Sequence, residues 1–299
     1  MENLGLKAPW PALARLARDH DVASWWIDAP GRAPPDGEQV RELGISPQRW
    51  ERATRLPPLQ GAWLHAAAPS WPRVLAGVPF GPVALNVEGA AALLHGAGVT
   101  IVGARACTAR GRRHARELAQ AVRAAGGVVT SGMAWGVDAE AHLAAEGATI
   151  AVLGQGLATP MPPWQARLRA AVLRAGGLVV SEFPGAQPPR PWTFPVRNRV
   201  LAALARVVVV VEAGARSGAR VTARLALGMG RDVLAVPGSE GTDALIEEGA
   251  APVNAPDDVV TALRAVWQRD HATPAPLLGG PGRGERSVSG TMPHLRHGG

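Results

Sequence analysis

Val207-Val-Val-Val-Val211 carries no polar residue and no alternation. A strand with one face in water alternates apolar and polar side chains, so an unbroken β-branched run belongs to a strand covered on both faces. Five runs of similar texture surround it: Val99-Thr-Ile-Val-Gly103, Gly127-Val-Val-Thr-Ser131, Thr149-Ile-Ala-Val-Leu153, Leu178-Val-Val-Ser181 and Asp232-Val-Leu-Ala-Val236. They recur every ~20–30 residues with helical patterns between them, as from Gly111 to Ala125, which is the spacing of βαβ units. The expected class is α/β, a mostly parallel sheet with helices on both faces.

On the N-terminal side the texture is different. Leu13, Leu16 and Ala17 share a helical face, and Ser46-Pro47 reads as an N-cap with proline at the first helical position. Pro57-Pro58 marks a boundary. The predicted organisation is a small helical domain over 1–64, the α/β domain over 65–266 and a Pro/Gly/Arg-rich, disordered tail over 267–299. That tail holds Arg283, Arg286 and Arg296, either solvated without a role or in weak contact with phosphates.

The formal charge is +7, and Lys7 is the only lysine among 31 basic residues. The arginine bias suggests a GC-rich genome, while a positive balance of guanidinium forks favours an anionic partner such as nucleic acid. Cys107 is the only cysteine, which excludes an intrachain disulfide and a Cys-rich metal site and fits a reducing cytosol. No apolar stretch is long enough to span a bilayer. The opening Met-Glu-Asn-Leu-Gly-Leu-Lys is not expected to be a signal peptide.

Ligands of open parallel sheets bind beyond the carboxyl ends of the strands. Those ends read Gly103-Ala-Arg105, Ser131-Gly-Met-Ala-Trp-Gly136, Gly154-Gln-Gly156, Ser181-Glu182, Glu212-Ala-Gly-Ala-Arg-Ser-Gly218 and Pro237-Gly-Ser239. Glycines at helix-opening turns bring backbone N–H groups close to an anion. Arg105 follows the first of these strands, and Phe194-Pro-Val-Arg-Asn-Arg199 adds Arg197, Asn198 and Arg199. Guanidinium forks there clamp phosphates; the competing reading is that one of them pairs with Glu182 or Glu212 to brace the loops. Asp138 and His142 lie four apart at a helix start, an acid/base pair or, as favoured here, a carboxylate hydrogen-bonded to a histidine. Trp135, Phe183, Trp192 and Phe194 sit near loop edges, where aromatics stack on bases or simply pack. Ser131 is not in a G-x-S-x-G elbow, no HExxH or carboxylate metal cluster occurs, and the first turn is not G-x-G-x-x-G. No catalytic residue, metal or cofactor is predicted.

In consecutive order over about two-thirds of the chain, these segments resemble the DprA/Smf family. The carriers are Ile101-Val-Gly-Ala-Arg105, Ser131-Gly-Met-Ala-Trp-Gly-Val-Asp138, Thr149-Ile-Ala-Val-Leu-Gly-Gln-Gly156, Phe194-Pro-Val-Arg-Asn-Arg199, Ser217-Gly-Ala-Arg-Val-Thr-Ala223 and Ala235-Val-Pro-Gly238. The resemblance implies an extended Rossmann fold after a small helical (SAM-like) domain, homodimerisation, a cytoplasmic location and single-stranded DNA across a basic pocket. It also implies delivery of that strand to the RecA recombinase during natural transformation. Arg105, Arg197 and Arg199 match the family's arginines. Ser131, Gly132, Ser217 and Gly218 match its small loop residues, expected to meet phosphates through main-chain N–H groups, with Gly103, Gly136, Gly154 and Asn198 completing the set. Two differences weaken the pocket slightly: Gly-Ala-Arg replaces the usual Gly-Ser-Arg, and Ala106 stands where lysine is frequent. The loop between Gly238 and Leu245 is short, and no winged-helix domain is expected beyond Val266. Two rival readings are a phosphoribohydrolase of the lysine decarboxylase-like type and a nucleotide-sensing module. The first is disfavoured because Ser217-Gly-Ala-Arg-Val-Thr-Ala-Arg224 has no glutamate after Thr222, and the second because no effector domain is visible.

Overall fold

A computed structural model describes residues 62–272, apart from 67, 77, 79, 80, 83 and 184. The expected N-terminal helices and the arginines of the tail lie outside these residues. In chain order the elements are β1 (Ala62–His65), β2 (Ala84–Gly89), β3 (Gly98–Val102), α1 (Ala109–Ala124), β4 (Val128–Ser131), α2 (Val137–Ala144), β5 (Thr149–Val152) and α3 (Pro163–Arg174). They continue with β6 (Leu178–Ser181), α4 (Thr193–Leu204), β7 (Val207–Val210), α5 (Gly218–Gly228), β8 (Asp232–Ala235), α6 (Glu240–Glu247), β9 (Ala251–Pro252) and α7 (Pro256–Ala272).

All six predicted strands form, and the valine run is the middle of the sheet's right half, between β3 and β8. Val207 to Val210 are fully buried. Successive side chains point to opposite faces, so Val208 and Val210 pack with Leu201 and Leu204 of α4 and Ala223 of α5. Val207 and Val209 pack with Leu118 and Val122 of α1 and Leu263 of α7. Each buried valine contributes on the order of 1.5–3 kcal/mol, and no face is left for polar alternation. In α1 the residues at Ala115, Leu118, Ala119 and Val122 form one buried stripe, while Thr108 caps the start by accepting from the Gly111 N–H at 3.0 Å.

The strand order is β1-β2-β6-β5-β4-β3-β7-β8-β9. From β6 across to β9 neighbours are parallel, whereas β1 with β2 and β2 with β6 are antiparallel. The sheet is therefore mixed, and β1, β2 and β9 are additions to the sequence reading. β1 includes 62–65, so the boundary expected at 64/65 falls inside a strand. Helix α7 runs to Ala272, past the point where the tail was expected to begin, because Val266 still packs on the core formed with α1. The chain winds outward from β3 to β6 and then returns to place β7 on the other side of β3. That reversal opens a crevice at the carboxyl ends of β3 and β7. Among the described residues no helix is long and apolar enough to cross a membrane.

Candidate functional site

The crevice encloses about 380 Å³. Gly103, Ala104 and Arg105 wall it from the β3 turn, Arg197 and Asn198 from α4, and Ser217 and Gly218 from the start of α5. Of the predicted residues, Ser131, Gly132, Gly136, Gly154 and Arg199 do not line it.

Arg197 is its floor. The side chain is buried, and Nη1 donates to the Val152 carbonyl at 3.0 Å, while Nε has no partner among the described residues. A Cβ on Gly132 would lie 1.7 Å from Nη1, so only glycine lets the guanidinium lie down there. Burial pushes the Arg197 guanidinium down to about 10, helped by the like charge of Arg105 and opposed by Asp138. It stays a cation at neutral pH with donor capacity to spare, and a buried donor seeks an acceptor.

Asp138 lines the crevice beside Arg197. Its Oδ2 accepts from the N–H groups of Gly132 (3.1 Å) and Ala134 (3.3 Å). Burial raises its pKa against the pull of Arg197 and those two amides. His142 turns elsewhere: Thr149 Oγ1 donates to the Val129 carbonyl at 2.9 Å, so at 2.8 Å it must accept from His142 Nδ1–H. Burial, then the charge of Arg197, drives the His142 pKa down to about 3, leaving a neutral ring. The expected Asp138–His142 hydrogen bond is thus corrected, since backbone amides and Thr149 take the two groups separately. Gly132, expected to offer its N–H to a phosphate, has already committed it to Asp138. Ser131 is buried with its hydroxyl on the Ile101 carbonyl at 2.6 Å.

The other arginines divide. Arg199 pairs with Glu182 through both carboxylate oxygens, both partners largely buried, which is the bracing role weighed from the sequence. Arg105 is exposed and has no carboxylate partner among the described residues; its Cζ sits 5.5 Å from the Phe194 ring centroid. Gly154 gives that ring room, a Cβ there falling 3.0 Å from Phe194 Cδ1. Asn198 donates to the Gly218 carbonyl at 3.3 Å and so ties α4 to the α5 turn. Gly136 has φ +83°, and a Cβ would come within 2.4 Å of the Ala104 and Arg105 carbonyls. It serves by letting two loops touch.

The two helix starts beside the crevice are not alike. Glu212 accepts from the Thr108 N–H (3.1 and 3.2 Å) and hydroxyl (2.8 Å), so a carboxylate of the chain occupies the positive end of α1. This is where a dinucleotide pyrophosphate would sit in an NAD-type site. At α5, among the described residues, the Ser217 hydroxyl alone caps the start, accepting from the Arg220 N–H at 3.4 Å. Arg216, not singled out from the sequence, precedes that cap, exposed and without an ion-pair partner among the described residues. The signal for it was its place just ahead of a helix cap. Of the four loop-edge aromatics, Phe183 is core against Trp192 (5.8 Å), and Trp135 is 51% exposed. Among the described residues no cluster of His, Cys, Asp or Glu is arranged to hold a metal.

The family model described as DNA recombination-mediator protein A matches residues 63–264. Protein Smf of Escherichia coli is 44% identical over 202 residues, covering 64% of this chain and 54% of that protein. The DNA processing protein DprA of Streptococcus pneumoniae is 39% identical over 188 residues, covering 60% and 66%. The chain spans about half the length of the first curated relatives it matches. Among solved structures, DNA processing protein A of S. pneumoniae superposes with a TM-score of 0.73 at 30% identity, covering 84% of this chain and 95% of that one. DNA processing protein A of Helicobacter pylori, a structure concerned with single-stranded-DNA binding, gives 0.63 at 27% identity, covering 69% and 97%. With the match running from β1 into α7 and including every wall of the crevice, the chain belongs to the DNA recombination-mediator protein A (DprA/Smf) family.

Proposed function

We propose that this chain binds single-stranded DNA in the crevice between β3 and β7 and holds the strand without cutting it. The observation that carries the reading is the buried, under-partnered Arg197 lining an open crevice with Arg105 at its rim. Arg105 and Arg197 meet phosphate oxygens, Ser217 and Gly218 add the first amides of α5, and Asn198 and Arg199 hold those elements in place. Gly103 keeps the β3 turn close to Val137 and the Glu212 carbonyl, while Gly132, Gly136 and Gly154 shape the floor and its neighbouring loops. Contacts of this kind read the backbone and leave bases largely unread.

By kinship with the family, the strand is then delivered to RecA by a cytoplasmic homodimer during natural transformation, and pairing two crevices raises apparent affinity. The hydrolase reading is weaker because both carboxylates near the crevice are engaged: Asp138 in its wall accepts from the Gly132 and Ala134 N–H groups, and Glu212 is held by three donor contacts at α1.

The test is fluorescence anisotropy of a labelled oligothymidine at two salt concentrations, with duplex and mononucleotide competitors. Expected is salt-sensitive binding that both competitors displace poorly. Arg105→Ala should weaken it about 10- to 100-fold, the worth of a charge-assisted contact, and lower the log–log salt slope by ~0.7. Unchanged affinity and slope in that variant, or efficient displacement by a mononucleotide, sinks the reading.

A further inference from the structure

On the far side of the β4–α2 loop lies a second depression of about 450 Å³, walled by Trp135, Trp164, Leu143, Arg112, Arg167 and Glu140. We propose that it is a base-stacking shelf that takes the unpaired bases of the strand as it leaves the crevice, a reading that rests on single-stranded-DNA binding in the crevice itself.

Four observations carry it. The first is continuity, because one short segment builds both depressions: Ala134 and Asp138 face the crevice, while Trp135, Gly136, Ala139 and Glu140 face the shelf. The wall between them is a single turn of chain, pressed against the backbone of Arg105 at Gly136. The second is an open aromatic surface. Trp135 is 51% exposed and is propped by Trp164 edge-to-face, with centroids 5.1 Å apart at 90°. A propped indole is already oriented, so stacking on it costs little ordering. Third, Leu143 beside it is 54% exposed, extending the apolar floor.

The fourth is charge. Arg112 and Arg167 have no carboxylate partner among the described residues, whereas the one acidic lining residue, Glu140, is neutralised by Arg116 at 2.9 Å. Two unspent cations around an indole platform fit alternating bases and phosphates. An apolar peptide would leave those guanidinium groups unanswered.

The experiment uses the full chain and labelled oligothymidines of increasing length, together with a long oligomer whose terminal nucleotides are abasic. Trp135→Ala should weaken binding of the long intact oligomer about 5- to 100-fold, with Trp135→Phe within about threefold because an aromatic face remains. The abasic-ended oligomer should bind wild type and Trp135→Ala alike. Arg167→Ala, at an exposed site, should lower the salt slope by ~0.7, and thermal melting checks that each variant is folded. Unchanged affinity in Trp135→Ala, or an equal loss on the abasic-ended oligomer, overturns the shelf. If Arg105→Ala still weakens binding in that case, the crevice reading survives alone. No binding of any oligomer by the wild type overturns both.

Discussion

After β3 the chain turns through Gly103, Ala104 and Arg105 into α1; after β7 it turns through Gly214, Arg216 and Ser217 into α5. Both turns lie at the same sheet reversal and both helices begin with a hydroxyl cap. Yet the positive end of α1 is filled by Glu212, which arrives from the other turn, while the start of α5 faces the crevice with only a serine. A helix N-terminus is therefore an anion site only when the protein has not already filled it. Here the β7 turn closes its neighbour with its own carboxylate and leaves itself open, so of the two helix starts only that of α5 is left without a carboxylate among the described residues.

The sharpest way to break this contrast is a methyl group on each helix. In Gly111→Ala the new Cβ lies 2.3 Å from Glu212 Oε2 and 3.3 Å from Cys107 Cβ. Displacing Glu212 from Thr108 should cost about 1–2 kcal/mol, offset in part by alanine's better helix propensity. Chemical denaturation should therefore show Gly111→Ala less stable than Gly218→Ala. Gly218→Ala meets nothing nearer than Asn198 Nδ2 at 3.9 Å, and its stability should stay within about 0.5 kcal/mol of wild type. Equal losses at the two positions would erase the distinction between a filled and an open start.

Glu212→Gln probes the plug itself. Removing the charge should cost about 1 kcal/mol and leave the salt slope of DNA binding unchanged. A slope steeper by ~0.7 would mean that α1, once freed, takes a phosphate.

On α2, His142 gives a pH signature. Its folded pKa of about 3 lies below the ordinary histidine value of about 6.5, so only the unfolded chain takes up the proton in between. The stability it supports is complete above about pH 6.5 and falls on acidification by up to ~1.4 kcal/mol per pH unit. Asp138, raised, works in the opposite sense at acid pH. The measurement is thus the difference between wild type and His142→Gln in denaturation midpoints from pH 7 to 5, and a constant difference would refute a neutral buried ring.

The parallel strands were legible because burial on both faces leaves only β-branched apolar residues, as in 207–210. β1 and β2 escaped notice because they are short, antiparallel additions whose residues, such as Asn86 and Glu88, interrupt any apolar run. β9 is two residues long and has no pattern to find. At the site, the sequence could identify arginines gathering at strand ends but not their partners. Whether Arg199 or Arg105 spends its charge on Glu182 depends on residues far apart in the chain meeting across two turns. Likewise, nothing local marks the Gly132 N–H as taken by Asp138 rather than offered outward. Gly132, Gly136 and Gly154, which read as contacts in the sequence, turn out here to be spaces into which other groups fit.

β9 also settles how the sheet ends. A strand at the border of a sheet is a template on which another chain can lay itself down, and any protein at high concentration is exposed to that hazard. With only Ala251 and Pro252 paired to β8, and proline lacking an N–H, this border offers almost nothing to copy. Among the described residues, that rim is a poor seed for templated growth.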